Sequence, residues 1–195
     1  MNEAWIVAIA VIIALGLYFV VVYNALVAIR HAVSQAWSNI DVLLKQRNDE
    51  LTKLVATVRE HMDFEHETLV RITQARAKAE TALKKNDLEG LGQAEGAIRV
   101  GLGNLFAVAE AYPELRAAES FQRLASRVTG LENAIADRRE FYNDSVYRNN
   151  VKIQQFPDIV VARLLGFTPF ELLEFDPVEI KDVDVSALFD SARKR

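Results

Sequence analysis

Twenty-six consecutive residues, Ala4 to Ile29, carry no formal charge, and Ile, Val, Leu and Ala dominate them. A helix needs about 20 apolar residues to cross the hydrocarbon core of a bilayer, and the stretch from Ala4 to about Tyr23 meets that requirement. Trp5 at one end, with Tyr18 and Tyr23 at the other, suits aromatic anchoring at the two interfaces. Two rival readings fail. A signal peptide has a basic n-region, a shorter apolar core and a small-residue cleavage site, whereas "MNEAW" has no basic residue and the run is too long. A small soluble domain rarely hides a helix on all sides. We therefore expect a transmembrane anchor at residues 1–23, with the lipid bilayer as a partner through residues 4–23.

No Lys or Arg precedes Arg30, while Arg30, Lys45, Arg47 and Lys53 follow the run. The positive-inside rule then puts the N-terminus outside and the C-terminal part in the cytoplasm, as a single-pass protein. From Arg30 onward, 23 basic residues stand against 26 acidic ones, a net charge of −3. A mildly acidic domain without a basic stripe is a poor partner for phosphate backbones, so no nucleic acid is expected. The absence of cysteine rules out disulfides, thiol catalysis and thiolate metal sites.

Past the apolar run, Val33, Trp37, Ile40, Leu44, Leu51, Leu54, Val58, Met62, Leu69, Ile72, Ala79 and Leu83 follow one another in steps of three and four, with gaps where Asn48, Glu65 and Arg76 stand. This is one helical face facing partner helices. Since no Gly or Pro interrupts Gln35 to Glu89, the spacing predicts a single long helix ending at "KKNDLEG", with Asn86 and Asp87 as cap candidates. A second helix is expected over about Leu88 to Ala111, with Leu91, Ile98, Leu102, Leu105 and Ala109 on one side. It holds five of the eight glycines, each costing about 1 kcal/mol against Ala, so it must be weak alone or pressed closely against a neighbour. Its "GLGQAEG" and "GLGNLF" follow no strand and lack the Lys-Ser/Thr pair of a phosphate loop.

"AYPELRAAES" is a connector: Pro113 cannot continue the preceding helix, and it biases Tyr112 towards an extended conformation. A third long helix is predicted from about Glu119 to Gln155, on Phe121, Leu124, Val128, Leu131, Ile135, Tyr142, Val146 and Ile153, and Pro157 stops it. No segment up to there alternates with period two for long enough to form a strand. The fold class is all-α: an N-terminal transmembrane helix followed by an antiparallel long-helix bundle. Bundle residues are expected over 24–156. The remainder, 157–195, is apolar and then charged, with Asp158 as cap of a short helix closed by Gly166. Five of ten phenylalanines lie between Phe156 and Phe189, a surface that must be covered. Covering the bundle end is preferred over dipping into the membrane surface, although an antiparallel third helix would return its end towards the bilayer. The tail "SARKR" reads as a small solvated end.

Reactive groups do not converge. In "HMDFEHE", His61 and His66 are five apart and so point to different helix faces, and Val70 stands where a zinc-protease pattern after His66-Glu67 needs a second His. No catalytic residue, cofactor or metal is expected.

The segments "YNALVAIRHAVSQAWSNIDVLLKQRNDELTKLV", "HETLVRITQAR", "LFAVAEAYPELRA", "FYNDSV" and "FPDIVVARLLGF" resemble the LemA family in order and spacing, from Tyr23 to about Asp176. The resemblance implies a bacterial, membrane-anchored, antiparallel bundle of four helices at the inner membrane, and no particular reaction. Positions matching the family pattern are Tyr23, Asn24, Trp37, Asp41, Arg47, His66, Glu67, Tyr112, Pro113, Tyr142, Asn143, Phe156, Pro157, Gly166 and Phe167, as interaction candidates. Thr52-Lys53 stands where the family often has Pro, which leaves open whether the first long helix bends there. "YRNN" stands where members commonly have a second Tyr-Asn, with Arg148 between Tyr147 and Asn149. The expected function is a non-enzymatic scaffold that binds other membrane or cytoplasmic proteins or lipid. The alternatives are a self-assembling accessory of membrane quality control or membrane shaping, which would form a homo-oligomer, and a hydrolase.

Overall fold

Uninterrupted three-and-four spacing of apolar residues, with charge on the remaining faces, produces helices and no strand among the residues that the computed structural model describes, 3–61 and 66–175. The helices are α1 (Glu3–His61), α2 (His66–Lys85), α3 (Leu88–Ala109), α4 (Pro113–Ala117), α5 (Glu119–Gln154) and α6 (Asp158–Leu164). Four are long, and the fold is an all-α bundle with an N-terminal apolar helix. α1 is continuous through Asn48 to Lys53, where the family often has Pro.

One expectation is corrected. The stripe from Val33 to Leu83 belongs to two helices, because α1 ends at His61 and α2 starts at His66. The Arg76 guanidinium donates to the Thr52 hydroxyl, so α2 doubles back along α1. Each helix buries its own part of the stripe, including Leu51, Leu54 and Val58 on α1 and Leu69, Ile72 and Ala79 on α2. A reversal that keeps both faces inward leaves the periodicity unbroken, and here it uses neither Gly nor Pro. Met62 and Glu65 of the predicted stripe lie outside the described residues, as do Phe189 and the basic tail 191–195.

The chain divides into two compact units, the described parts of 1–50 with 126–173, and of 51–125 with 174–195. In the second, α2 and α3 form a hairpin across Asn86 and Asp87. Asn86 adopts a left-handed φ of 54°, the Asp87 amide donates to the Ala82 carbonyl at 3.0 Å, and the Asn86 amide to Leu83 at 3.3 Å. This is a Schellman stop, for which Asn is the usual substitute for Gly. Asp87 then caps α3, accepting from the Gly90 amide at 2.8 Å. The glycines of α3 permit close approach: a Cβ on Gly101 would lie 2.6 Å from Ile72 Cγ1, and one on Gly92 would lie 1.9 Å from the Glu174 carbonyl oxygen. Arg99, two turns along from Gly92, lies over the Phe175 ring at 5.8 Å.

In the first unit α5 runs antiparallel to α1. Arg47 meets Glu132 and Trp37 meets Tyr142, so ten residues back along α1 correspond to ten forward along α5. The buried faces are those expected, with Val33, Ile40 and Leu44 on α1 and Val128, Ile135, Tyr142, Val146 and Ile153 on α5. From Ala4 to Val21 every α1 side chain is exposed, and burial starts at Val22. An apolar helix left exposed along this length is the converse of a soluble core helix. It is long and apolar enough to cross a membrane.

Candidate functional site

α5 ends in "FYNDSVYRNNVKIQ", and its inward polar residues determine the path of the chain after α6. Asn143 and Asn150 are seven residues, about two helical turns, apart and so share a face. The Asn143 carboxamide donates to the Leu173 carbonyl at 3.1 Å and accepts from the Leu173 amide at 2.9 Å. Asn150 repeats the pattern on Phe170, donating at 2.8 Å and accepting at 2.9 Å. Between them the Tyr142 hydroxyl donates to the Glu171 carbonyl at 3.0 Å. Three α5 side chains thus act as a ladder for an extended segment that has no strand to pair with. Burial raises the Tyr142 phenol above its ordinary pKa, and the Glu171 carboxylate adds to the shift.

On the α1 side, Trp37 packs on Tyr142 with ring centroids 5.5 Å apart and planes at 57°, a tilted aromatic pair. About three turns along, the Arg47 guanidinium is only 1% exposed and pairs with Glu132 at 2.9 Å. Asp41 forms the exposed helical pair with Lys45 at 2.5 Å. Glu50, also buried, lies 3.4 Å from Arg127.

At the other end of α5, Pro157 occupies the cap position and Asp158 is the first residue of α6, which corrects the expectation that Asp158 caps it. The Asp158 carboxylate is turned to other donors, accepting from the Tyr18 hydroxyl at 3.1 Å and pairing with Lys152 at 2.5 Å. Gly166, at a φ of 71°, ends α6 as expected: the Phe167 amide donates to Ala162 at 2.9 Å and the Gly166 amide to Arg163 at 3.3 Å. α6 seals the end of the unit, with Val161, Ala162 and Phe167 packed against Val22, Leu26 and Ile153.

The family-pattern positions fall into separate groups. Trp37 and Tyr142, with Asn143, form the ladder region, and Arg47 the ion pair. Phe156, Pro157, Gly166 and Phe167 set the geometry of α6, although Phe156 and Pro157 are exposed. Tyr23 and Asn24 are exposed at the end of the apolar run, and Asp41 is half-buried. Tyr112 and Pro113 start α4 in the connector, with Tyr112 at φ −117° and ψ 88°, outside the helical region. Glu67 is exposed and pairs with Arg71 at 2.6 Å. The His66 side chain lies outside the described residues. Asn150 and Glu132 escape sequence reasoning, because their partners lie 20 and 85 residues away and no periodicity reports such pairs. Asn150 is the amide of "YRNN" that grips the chain. Tyr147 of that motif is exposed.

Among the described residues no group of three His, Asp or Glu could hold a metal ion. Tyr142, Asn143 and Asn150 bind the chain's own backbone, and the Arg47–Glu132 and Lys152–Asp158 groups bind each other.

An apolar membrane-length helix continuing into an all-α bundle, with Trp37, Arg47, Tyr142 and Asn143 engaged in internal fastening, defines an anchored helical-bundle protein. The chain belongs to the LemA family, whose sequence profile matches residues 36–186. It is 28% identical to Protein LemA of Metamycoplasma hominis over 181 residues, 91% of this chain and 81% of that protein. It is 25% identical to Magnetosome protein MamQ of Magnetospirillum gryphiswaldense over 178 residues, 80% of this chain but only 65% of that protein's length. Magnetosome protein MamQ 2 of Paramagnetospirillum magneticum is 24% identical over 190 residues, 86% of this chain and 70% of that protein.

Proposed function

We propose that the chain is a non-enzymatic scaffold, anchored by α1 with its bundle on the cytoplasmic side of a bacterial inner membrane, where it binds other membrane or cytoplasmic proteins. The observation that carries this reading is how the family-pattern residues of the bundle are used. Tyr142 and Asn143, with Asn150 beside them, bind the backbone of residues 170–173, and Arg47 binds Glu132. Groups engaged in this way hold a shape, and among the described residues they are turned to the chain itself rather than arranged as a nucleophile–base pair on a cavity. A shape fixed at a defined distance from the bilayer is what a docking platform requires.

The test is photo-crosslinking of the full-length protein in native membranes, with reactive groups at exposed positions on α2 and α5. Reproducible heterologous adducts are expected. Adducts only to a second copy would replace this reading with self-assembly. No adduct, together with turnover that disappears in Glu67→Gln or His66→Ala, would replace it with a hydrolase.

A further inference from the structure

The face of α6 turned away from the bundle is apolar. Phe156, just before the helix, is 80% exposed, Val160 61% and Leu164 73%. Val160 and Leu164, four apart on the helix, share one face, and Phe156 stands exposed just ahead of it. The opposite face, Val161 and Ala162, is already sealed on Val22 and Leu26, so the outward row has no role in the packing of this unit.

The height of that row is fixed by Asp158, which accepts from the Tyr18 hydroxyl at 3.1 Å. Tyr18 lies inside the membrane-length apolar stretch, five residues on the membrane side of Tyr23, or about 7.5 Å at 1.5 Å per residue. Side chains on a helix lean towards its N-terminus, so the hydroxyl reaches further in the same direction. The start of α6 is therefore level with the last turns of the apolar helix, where Tyr18 and Phe19 are themselves partly exposed.

We propose that α6 is a second membrane contact, which lays Phe156, Val160 and Leu164 into the lipid headgroup boundary beside the end of the transmembrane segment. The proposal rests on the reading of α1 as a membrane span. Amphipathic helices at an interface bury their apolar face by about 5–10 Å, which matches the height set by Tyr18. A seven-residue helix would not form alone in water or lipid, but α6 is already held by α1 and α5. Lys152 pairs with Asp158 at 2.5 Å, so the carboxylate brought to that level is compensated. A bilayer is favoured over a protein as the occupant because Asp158, the first residue of α6, is bonded to a side chain of the stretch that lipid surrounds when α1 spans the membrane.

The chain has no cysteine, so single cysteines labelled with an environment-sensitive fluorophore report cleanly. Full-length Val160→Cys and Leu164→Cys, with Ile12→Cys in the span and Asn133→Cys on α5 as references, are reconstituted in phosphatidylethanolamine–phosphatidylglycerol vesicles. Emission is then quenched with shallow or deep lipid-borne spin labels and with aqueous iodide. Positions 160 and 164 are expected to be quenched by the shallow lipid label, roughly two-fold more than position 133, and to resist iodide, as residues at the acyl boundary do. Iodide quenching equal to that at position 133, while position 12 still responds to the deep label, would overturn the α6 contact and leave the span intact. Shielding from both quenchers would also overturn it, by showing that protein covers the row. If position 12 ignores the lipid labels, the span reading fails and the α6 contact fails with it.

Discussion

Asn143 and Asn150 each present a carboxamide to both backbone groups of one residue, as a neighbouring strand would. Truncation of either leaves an N–H and a C=O of a half-buried segment without these partners, at a cost of about 1–3 kcal/mol. Asn143→Ala and Asn150→Ala should each lower the chemical denaturation midpoint by that amount. Asn143→Asp should not restore it, since a carboxylate accepts from the Leu173 amide but repels the Leu173 carbonyl. Tyr142 adds a pH signature. Its phenol is held above the ordinary value of about 10, chiefly by burial, so the unfolded chain ionises first. The stability it contributes is complete below pH 10 and is lost as pH rises from there through the higher folded value. Tyr142→Phe should cost about 1 kcal/mol at neutral pH through the lost hydrogen bond, and should flatten the alkaline fall. If both proteins lose stability equally between pH 9.5 and 11, the phenol is not the titrating group. The charged pairs differ by burial. Arg47→Ala removes one member of a buried pair and should cost about 3–5 kcal/mol. Lys45→Ala breaks only the exposed Asp41 contact and should cost about 0–1 kcal/mol.

At the scale of the element, glycine shows which helix faces are in contact. A Cβ at Gly92 would overlap the Glu174 carbonyl, which is backbone and cannot swing aside, whereas one at Gly103 meets nothing within 4 Å. Gly92→Ala should therefore destabilise by about 1–3 kcal/mol. Gly103→Ala should stabilise by about 0.5–1 kcal/mol through helix propensity alone, and thermal denaturation of the two variants separates these signs. Composition could only say that α3 was weak or closely pressed; it could not say which glycine was which, because that depends on Ile72 and Glu174. Much of the rest was legible. The buried faces of α3 and α5, the Asp87 cap and the Gly166 stop follow from spacing and local chemistry. The reversal after His61 was not, since a periodic stripe looks the same whether the helix continues or folds back. The family pattern likewise marked Tyr142 and Asn143 without saying what they hold, because the strap they grip is almost 30 residues further along and has no pattern of its own.

For the whole molecule, the side of the membrane that carries the bundle is controlled by the sequence through few charges. The flank before the span has Glu3 and no basic residue, while the nearest positive charge after it is Arg30, followed by Lys45 and Arg47. Basic residues within about 15–20 positions of a span count most, so the cytoplasmic assignment of the bundle rests mainly on Arg30. A margin this small should be reversible. With Tyr147→Cys as a reporter on the exposed face of α5, an impermeant maleimide should leave intact spheroplasts unlabelled and react only after lysis. Asn2→Arg with Glu3→Arg places two positive charges ahead of the span against one behind it, and should make a measurable fraction of reporter cysteines reactive in intact cells. Adding Arg30→Gln should enlarge that fraction, because it removes the charge that holds the other flank inside. If the reporter is already labelled before lysis in the otherwise unaltered chain, the bundle lies outside and the charge argument is wrong. If the charge variants leave labelling unchanged, the folded bundle rather than Arg30 determines the orientation.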